Sequence, residues 1–491
     1  MRGSGRGSGW AWALAMLVGL GAFATLGAQA LAAGAPVGAS ASVSASPALL
    51  PGVGSTDWPV FQGQDGHNAV VTTSGAAAGN LSTSWRFLTG SSIVVAPSVV
   101  HGVAYLTSMG GWIDALNVAS GRLLWSFHAD NQIMSQALVV GGRVYFGSGN
   151  KGFSGTSGAR LRGTGPSAVY ALNAQTGRLL WSQPVRGEAM PTPAFSQGLV
   201  YEPTGGGMFY AFDAVTGRLR WRLDIGSIVS MSSPVIAGTT AVFGGTAGGK
   251  PPAYYGIDLE THRVAWTDTF PAAWGGPDDL SPSLVGGDVY VQVPYGSQAQ
   301  VGTERCSKWP CGGAASWVPS NAGPIKVAEL DLNSATGRQI WQRRLGAGPA
   351  SFHGGEEAGV ATVLDGVAYV GTPVRQGLWA FAAQTGRLLW KSALPAAVRT
   401  APTVVGNRIY AESAGTVYVL RRSSGAVEGA YVLAHRPKET VAQYTMIPCT
   451  FPAVTVFGRS LLVVGGNQNT LIAMPLASLT PRAAVPSAAA A

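Results

Sequence analysis

Charged residues are scarce in this 491-residue chain: they make up 11% of it, with 23 acids against 32 Lys and Arg. Acid unfolds proteins largely because carboxylates paired in the native state must take up protons, so a chain with few carboxylates loses little at low pH. The composition therefore points to a protein that works in acid. Cysteine is nearly absent. Of the three, no two are adjacent and none stands in a C-x-x-C-H haem motif. The six His residues (67, 101, 128, 262, 353 and 435) are scattered without metal-ligand spacing, so no metal site is expected. Nor does the net charge of +9 form a nucleic-acid stripe. Arg122, Arg178, Arg218, Arg263, Arg338 and Arg387 occupy one repeated slot and spread out as a solvated ring, which argues against a nucleic-acid partner.

What is present is hydrophobic and rich in turns: 46% of residues are apolar and 69 are Gly, which suits an all-β protein and argues against long helices and disorder. Residues 1–32 have the three-part layout of a secretory signal peptide. Arg2 and Arg6 precede an apolar run from Ala11 to about Leu26, and small residues follow, with cleavage expected after Ala30 or Ala32. The run is short for a membrane-spanning helix, and no Cys marks the cleavage site for lipid anchoring. The mature chain is expected to be exported, to the periplasm, the outer membrane or the medium. Residues 33–56 read as an Ala/Ser/Pro-rich linker and 477–491 as a tail.

Between them one phrase recurs: IDALNVASGRLLW, VYALNAQTGRLLW, FYAFDAVTGRLRW, YYGIDLETHRVAW, ELDLNSATGRQIW and LWAFAAQTGRLLW. Its Trp residues, at 125, 181, 221, 266, 341 and 390, are spaced by 56, 40, 45, 75 and 49. A base period near forty, with about four strands per unit, is the signature of a β-propeller. VYVLRRSSGAVEG is a seventh unit with Gly429 in the Trp slot, and SLLVVGGNQNTLIAMPL is an eighth that stops before its outer strand. STSWRF around Trp85 has no unit of its own and matches the missing strand. Residues 57–476 thus read as eight four-stranded antiparallel blades, the last closed by an N-terminal strand. Closure of this kind removes exposed sheet edges. In each unit Asn117, Asn173, Asp213 or Asn333 is placed to bond the turn backbone, the turn Gly takes positive φ, and Trp packs between blades.

The A-x-[DN]-x-x-TG-x-x-x-W pattern resembles that of the quinoprotein-like propellers, over roughly Asp57 to Leu476 and including DWPVFQGQDGHN. Many members bind pyrroloquinoline quinone and calcium and oxidise alcohols; others are scaffolds without a cofactor. The vicinal Cys pair associated with the dehydrogenases is missing here. In its export, size, blade number, insertions and acid-adapted composition, the chain most resembles the tetrathionate hydrolases of acidophilic sulfur oxidisers. That resemblance implies a cofactor-free enzyme acting on a small anionic sulfur compound.

Insertions mark the functional face. Blade two carries one at 149–166 and blade five a longer one at 294–326, both between second and third strands. DTFPAAWGGPDDLSPS, GAGPASFHGGEEAG and AHRPKETVAQYTMIPCTFP lie between blades. In an up-and-down blade both kinds of connection emerge on the same face, so all five loops crowd one mouth. Long loops on a rigid scaffold are where sites are built. The two large insertions also offer a surface for homodimer contact.

Blade five breaks the repeat. Its third strand carries Glu329 where the other copies have Ile113, Val169, Phe209, Tyr254 and Leu378, and Asp331 where they have Ala or Gly. Alternation puts both side chains on one face, about 7 Å apart along the strand. Burial between blades disfavours ionising either, and neighbouring carboxyls disfavour losing both protons. Two readings follow: a general acid, with Asp331 ahead of Glu329, or buried carboxylates satisfied by Arg or backbone amides that fix the long loop. The resemblance favours the acid, protonating a departing sulfur group as the S–S bond breaks. Arg160, Arg162 and Arg305 are candidates to hold the sulfonate ends. Cys306 and Cys311, in CSKWPC, are spaced for an intraloop disulfide. Cys449 is then left over, as an alternative nucleophile weakened in acid, an inert buried thiol or a partner across subunits. Asp278 and Asp279 are too few for a calcium site, and His353 with Glu356 and Glu357 reads as a solvated loop.

Overall fold

The computed structural model describes residues 50–51, 57–71, 81, 83–150, 153–154, 161–163, 165–246, 251–270, 277–295, 302–305, 317–320, 325–348, 361–372, 377–395, 398, 401–413, 415–433, 454–457, 459–464, 469–476 and 479. The signal-peptide segment lies outside them, as do Arg160, Cys306, Cys311, Cys449 and the cluster of His353, Glu356 and Glu357.

Each repeat folds into an antiparallel sheet, giving eight blades. Blade one is typical, with strands Ser98–Val100, Val103–Thr107, Trp112–Asn117 and Leu123–His128. Blade eight contributes Thr455–Phe457, Ser460–Val464 and Thr470–Pro475, and its outer strand is Trp85–Leu88, paired Trp85 to Ala473. The sequence match at Trp85 is borne out in detail. The indoles of Trp125, Trp181, Trp266, Trp341 and Trp390 donate to a carbonyl at the next blade's turn, as Trp125 Nε1 does to Ala174 O at 3.0 Å. Trp85 Nε1 donates in the same way to Val118 O of blade one, at 2.7 Å.

The turn chemistry explains the repeat phrase. Asn173 Oδ1 accepts from Thr176 N at 2.9 Å, and Asp213 and Asn333 do the same in their blades. The glycine is required twice over. Gly177 has φ +69°, and a Cβ there would stand 2.6 Å from the ring of Trp125. Blade four has His262 in that slot, also at positive φ (57°), and its ring stacks on Trp221 at 4.4 Å.

Blades are tied near the axis by hydroxyls at two equivalent positions. Gln136 N donates to Thr192 Oγ1, Thr192 N to Ser233 Oγ and Ser233 N to Ser281 Oγ, linking blades two to five. Ser283, Thr362, Thr403 and Thr455 donate to the following blade, and Thr455 Oγ1 reaches Pro97 O at 3.1 Å, closing blade eight on blade one. The apolar core lies between blades, in clusters such as Tyr290, Trp341, Val363, Val370 and Phe381 at the boundary of blades five and six. Residues 57–71, which the sequence places within the propeller span but in no repeat unit, bridge the inner strands. Trp58 bonds Val99, Pro59 O accepts from Val139 N, Gly66 O from Leu284 N, and Asn68 pairs with Val363. Val70–Val71 then adds a parallel fifth strand to blade seven, beside Thr403–Val405.

Candidate functional site: buried carboxyls in blade five and at the mouth

Glu329 and Asp331 lie on the third strand of blade five, Ile325–Asn333, opposite Gln292 and Tyr290 of the second, Asp288–Tyr295. Ile113 and Ala115, their counterparts in blade one, pack against blade two, so the blade-five pair faces blade six. Both are fully buried, and none of their four oxygens has a hydrogen-bond partner. The arrangement in which Arg or backbone amides satisfy them is therefore not what the described residues form. Burial raises the Asp331 carboxyl to about 8, Asp288 adds to the rise, and the nearby Trp341 indole opposes it. That indole cannot win, because its single N–H is committed to Ala383 O at 2.6 Å. Burial holds Glu329 well above the usual carboxylate range, with Asp331 reinforcing it and the Gln292 side chain opposing. Gln292 spends Nε2 on Gly371 O of blade six at 2.9 Å, and its Oε1 has no partner.

Arg162 is not part of this pair. It sits in the blade-two insertion, held by backbone bonds from Arg162 N to Gly205 O and from Glu188 N to Arg162 O. Its Nε lies 2.9 Å from Glu188 Oε1, and its Nη1 3.8 Å from Asp279 Oδ1. Glu188 is fully buried, whereas the Arg162 and Asp279 side chains keep 17% and 14% of their exposure and so form the solvent-facing edge. Asp278, also buried, accepts three backbone N–H groups on its carbonyl, from Ser230, Met231 and Ser232. One guanidinium thus serves three carboxyls. Burial raises Glu188 to about 8 in spite of Arg162, with Asp279 and Asp278 adding to it. Burial and Asp279 raise Asp278 to about 7. Among the described residues no group of three His, Cys, Asp or Glu is placed to hold a metal ion. Arg305 ends a short strand, Gly302–Arg305, paired with Trp317–Ser320.

Glu188 and Glu202 were missed by the sequence reading, although the register carries a signal for Glu202. It pairs with Tyr210 where Phe146 pairs with Tyr170 and Phe243 with Tyr255, the same kind of departure from an apolar column as Asp331. Asp279 is another such departure. Four residues before the first strand, blades two, three and four have Met134, Met190 and Met231, which pack together with Val94 and Val95; blade five has Asp279.

The profile of the PQQ-repeat family described as outer membrane protein assembly factor BamB matches residues 149–309 and 327–478, well over half of the chain. The chain belongs to this family. It is 27% identical over 349 residues to the tetrathionate hydrolase of Acidithiobacillus ferrooxidans, covering 67% of this chain and 64% of that protein. It therefore spans just under two thirds of that relative's length. It is 26% identical over 442 residues to the tetrathionate hydrolase of Acidianus ambivalens, 77% of this chain and 70% of that one. In fold it is similar to BamB from Moraxella catarrhalis, with 16% identity, a TM-score of 0.53, and 80% and 99% of the two chains covered. A europium-containing methanol dehydrogenase has 14% identity and a TM-score of 0.51, over 76% and 90%. The protein is thus an eight-bladed PQQ-repeat propeller whose relatives in sequence include tetrathionate hydrolases and the assembly factor BamB.

Proposed function

We propose that this protein is exported and hydrolyses tetrathionate in acid, without a cofactor. The observation that carries the reading is the pair Glu329 and Asp331, two buried carboxyls without hydrogen-bond partners in an otherwise apolar column. A buried carboxyl held neutral is a proton donor. Asp331 is assigned as the acid, with Glu329 beside it. As an S–S bond breaks, the proton passes to the departing thiosulfate sulfur, and the bonding electron pair goes with that sulfur. Water supplies the oxygen that the sulfonate end needs to become sulfate. The net change is tetrathionate plus water to thiosulfate, elemental sulfur, sulfate and two protons, which balances in sulfur, oxygen and charge. The two long tetrathionate hydrolase alignments support the substrate class. Arg160, Arg162 and Arg305 are assigned to the sulfonates, Cys449 is the rival nucleophile, and the inserted loops are assigned to a homodimer contact.

A second reading, a non-catalytic envelope scaffold, is favoured by the family description and by the likeness to the Moraxella fold. A quinone-dependent dehydrogenase is a poorer fit. A polycarboxylate quinone needs cations, and among the described residues the mouth offers Arg162 against Glu188, Asp278 and Asp279. The test is thiosulfate release from tetrathionate at about pH 3 by wild type and by Asp331→Asn, which cannot give up the proton. Wild-type turnover lost in a folded variant supports both substrate and acid. An active Asp331→Asn moves the role to Glu329 or Cys449, and an inactive wild type leaves the scaffold.

A further inference from the structure

The mouth cluster of Arg162, Glu188, Asp278 and Asp279 is spare to the proton-donor step. It joins an arginine from the blade-two insertion to carboxyls from the approaches to blades three and five. Ser230, from the approach to blade four, is fully buried; its Oγ makes no hydrogen bond of good geometry, although it lies close enough to Glu188 to favour that carboxyl's charged form. Both Glu188 oxygens likewise lack a hydrogen bond of good geometry, although Arg162 lies within ion-pair distance. Polar atoms this deeply buried are normally satisfied. Here several converge behind an edge open to solvent. Arg186, on the same approach loop as Glu188, is exposed and makes no ion pair among the described residues. The hairpin at Gly205, packed against Arg162 and Glu188, adds no charge.

What the cluster can bind depends on its protons. With its carboxyls ionised it is an acceptor set around one cation and repels anions. With protons on Glu188 and Asp278 it becomes a set of O–H and N–H donors around a guanidinium that Glu188 no longer neutralises. Three carboxyls around one arginine cannot all remain charged. We infer that this cluster is a proton-gated subsite for a sulfonate group: ionised Glu188 masks Arg162, and a proton on Glu188 turns the guanidinium to the anion, which it binds together with Ser230. The inference rests on the proposed substrate class and assigns the place where one anionic end is held. The upward displacement of Asp278 to about 7 and Glu188 to about 8 sets the gate at and just above neutrality, so the subsite is open throughout the acid range.

The test is calorimetric binding of ethane-1,2-disulfonate, which has sulfonate ends and no S–S bond, at about pH 4 and about pH 9, on either side of the Glu188 transition. Wild type is expected to bind at least about tenfold more tightly at the lower pH. Glu188→Gln, neutral at every pH, should retain binding at the higher pH and flatten the profile. Arg162→Gln should lose it at both, and Ser230→Ala should weaken it several-fold. Affinity independent of pH in wild type, or unchanged in a folded Arg162→Gln protein, overturns the assignment. Because the probe cannot be hydrolysed, binding without tetrathionate turnover refutes the proposed reaction and leaves the subsite standing. Turnover without acid-dependent binding does the reverse.

Discussion

Raising the pH should destabilise this protein, and Glu188→Gln should remove part of the effect. Glu188 is fully buried, and its carboxyl is pushed from 4.5 to about 8. A carboxyl whose folded-state value lies above its unfolded one binds protons more tightly in the native state. Its contribution is fully present below about 4.5, is lost steadily as the pH climbs, and is gone by about 8. At pH 7 the loss is about 3 kcal/mol for this one residue, counting 1.36 kcal/mol for each pH unit above the unfolded value. Asp331, Asp278, Glu202 and Glu329 are displaced in the same direction by the same cause. Even partial additivity among them rivals the roughly 5–15 kcal/mol that holds an ordinary domain together. Scanning calorimetry from about pH 4 to 8 should show the melting temperature falling throughout, with a shallower fall in Glu188→Gln. A wild type that melts higher at neutrality than in acid refutes the reasoning. So do parallel curves for the two proteins, which would mean that Arg162 keeps Glu188 ionised.

Glu202→Leu puts an aliphatic side chain in a column that holds Phe146 and Phe243 in other blades. It should raise the melting temperature at pH 7.5 and change it little at pH 4, since only the ionised form is penalised by burial. Equal effects at both pH values would place the gain in packing alone. Gly337→Ala should cost roughly 1–3 kcal/mol in unfolding experiments, from positive φ and overpacking combined. The φ is +67°, and the added Cβ would lie 2.4 Å from the Trp266 ring. A neutral result would show that the turn and the indole shift cheaply.

The sequence by itself determined the blade. The phrase ending in Trp, the Asn or Asp that caps the turn and the Gly beneath the preceding blade's indole are local, and each leaves a period-forty trace. Even the closing strand was legible, because Trp85 repeats a job that most blades assign to the Trp of their outer strand. Glu329 and Asp331 were visible for the same reason: a repeat makes a misplaced carboxyl stand out against its copies. What only the tertiary structure decided lies between blades. Residues 57–71 carry no repeat, so nothing in their sequence says that they bond blades one, two, five, six and seven. Arg162 and Asp279 are 117 positions apart in the chain and meet because circular closure brings loops of blades two and five to one mouth. Whether a carboxyl there is a charge or a proton donor depends on burial and on how many neighbours share one guanidinium. That is a property of distances in the folded molecule, which residue order does not encode.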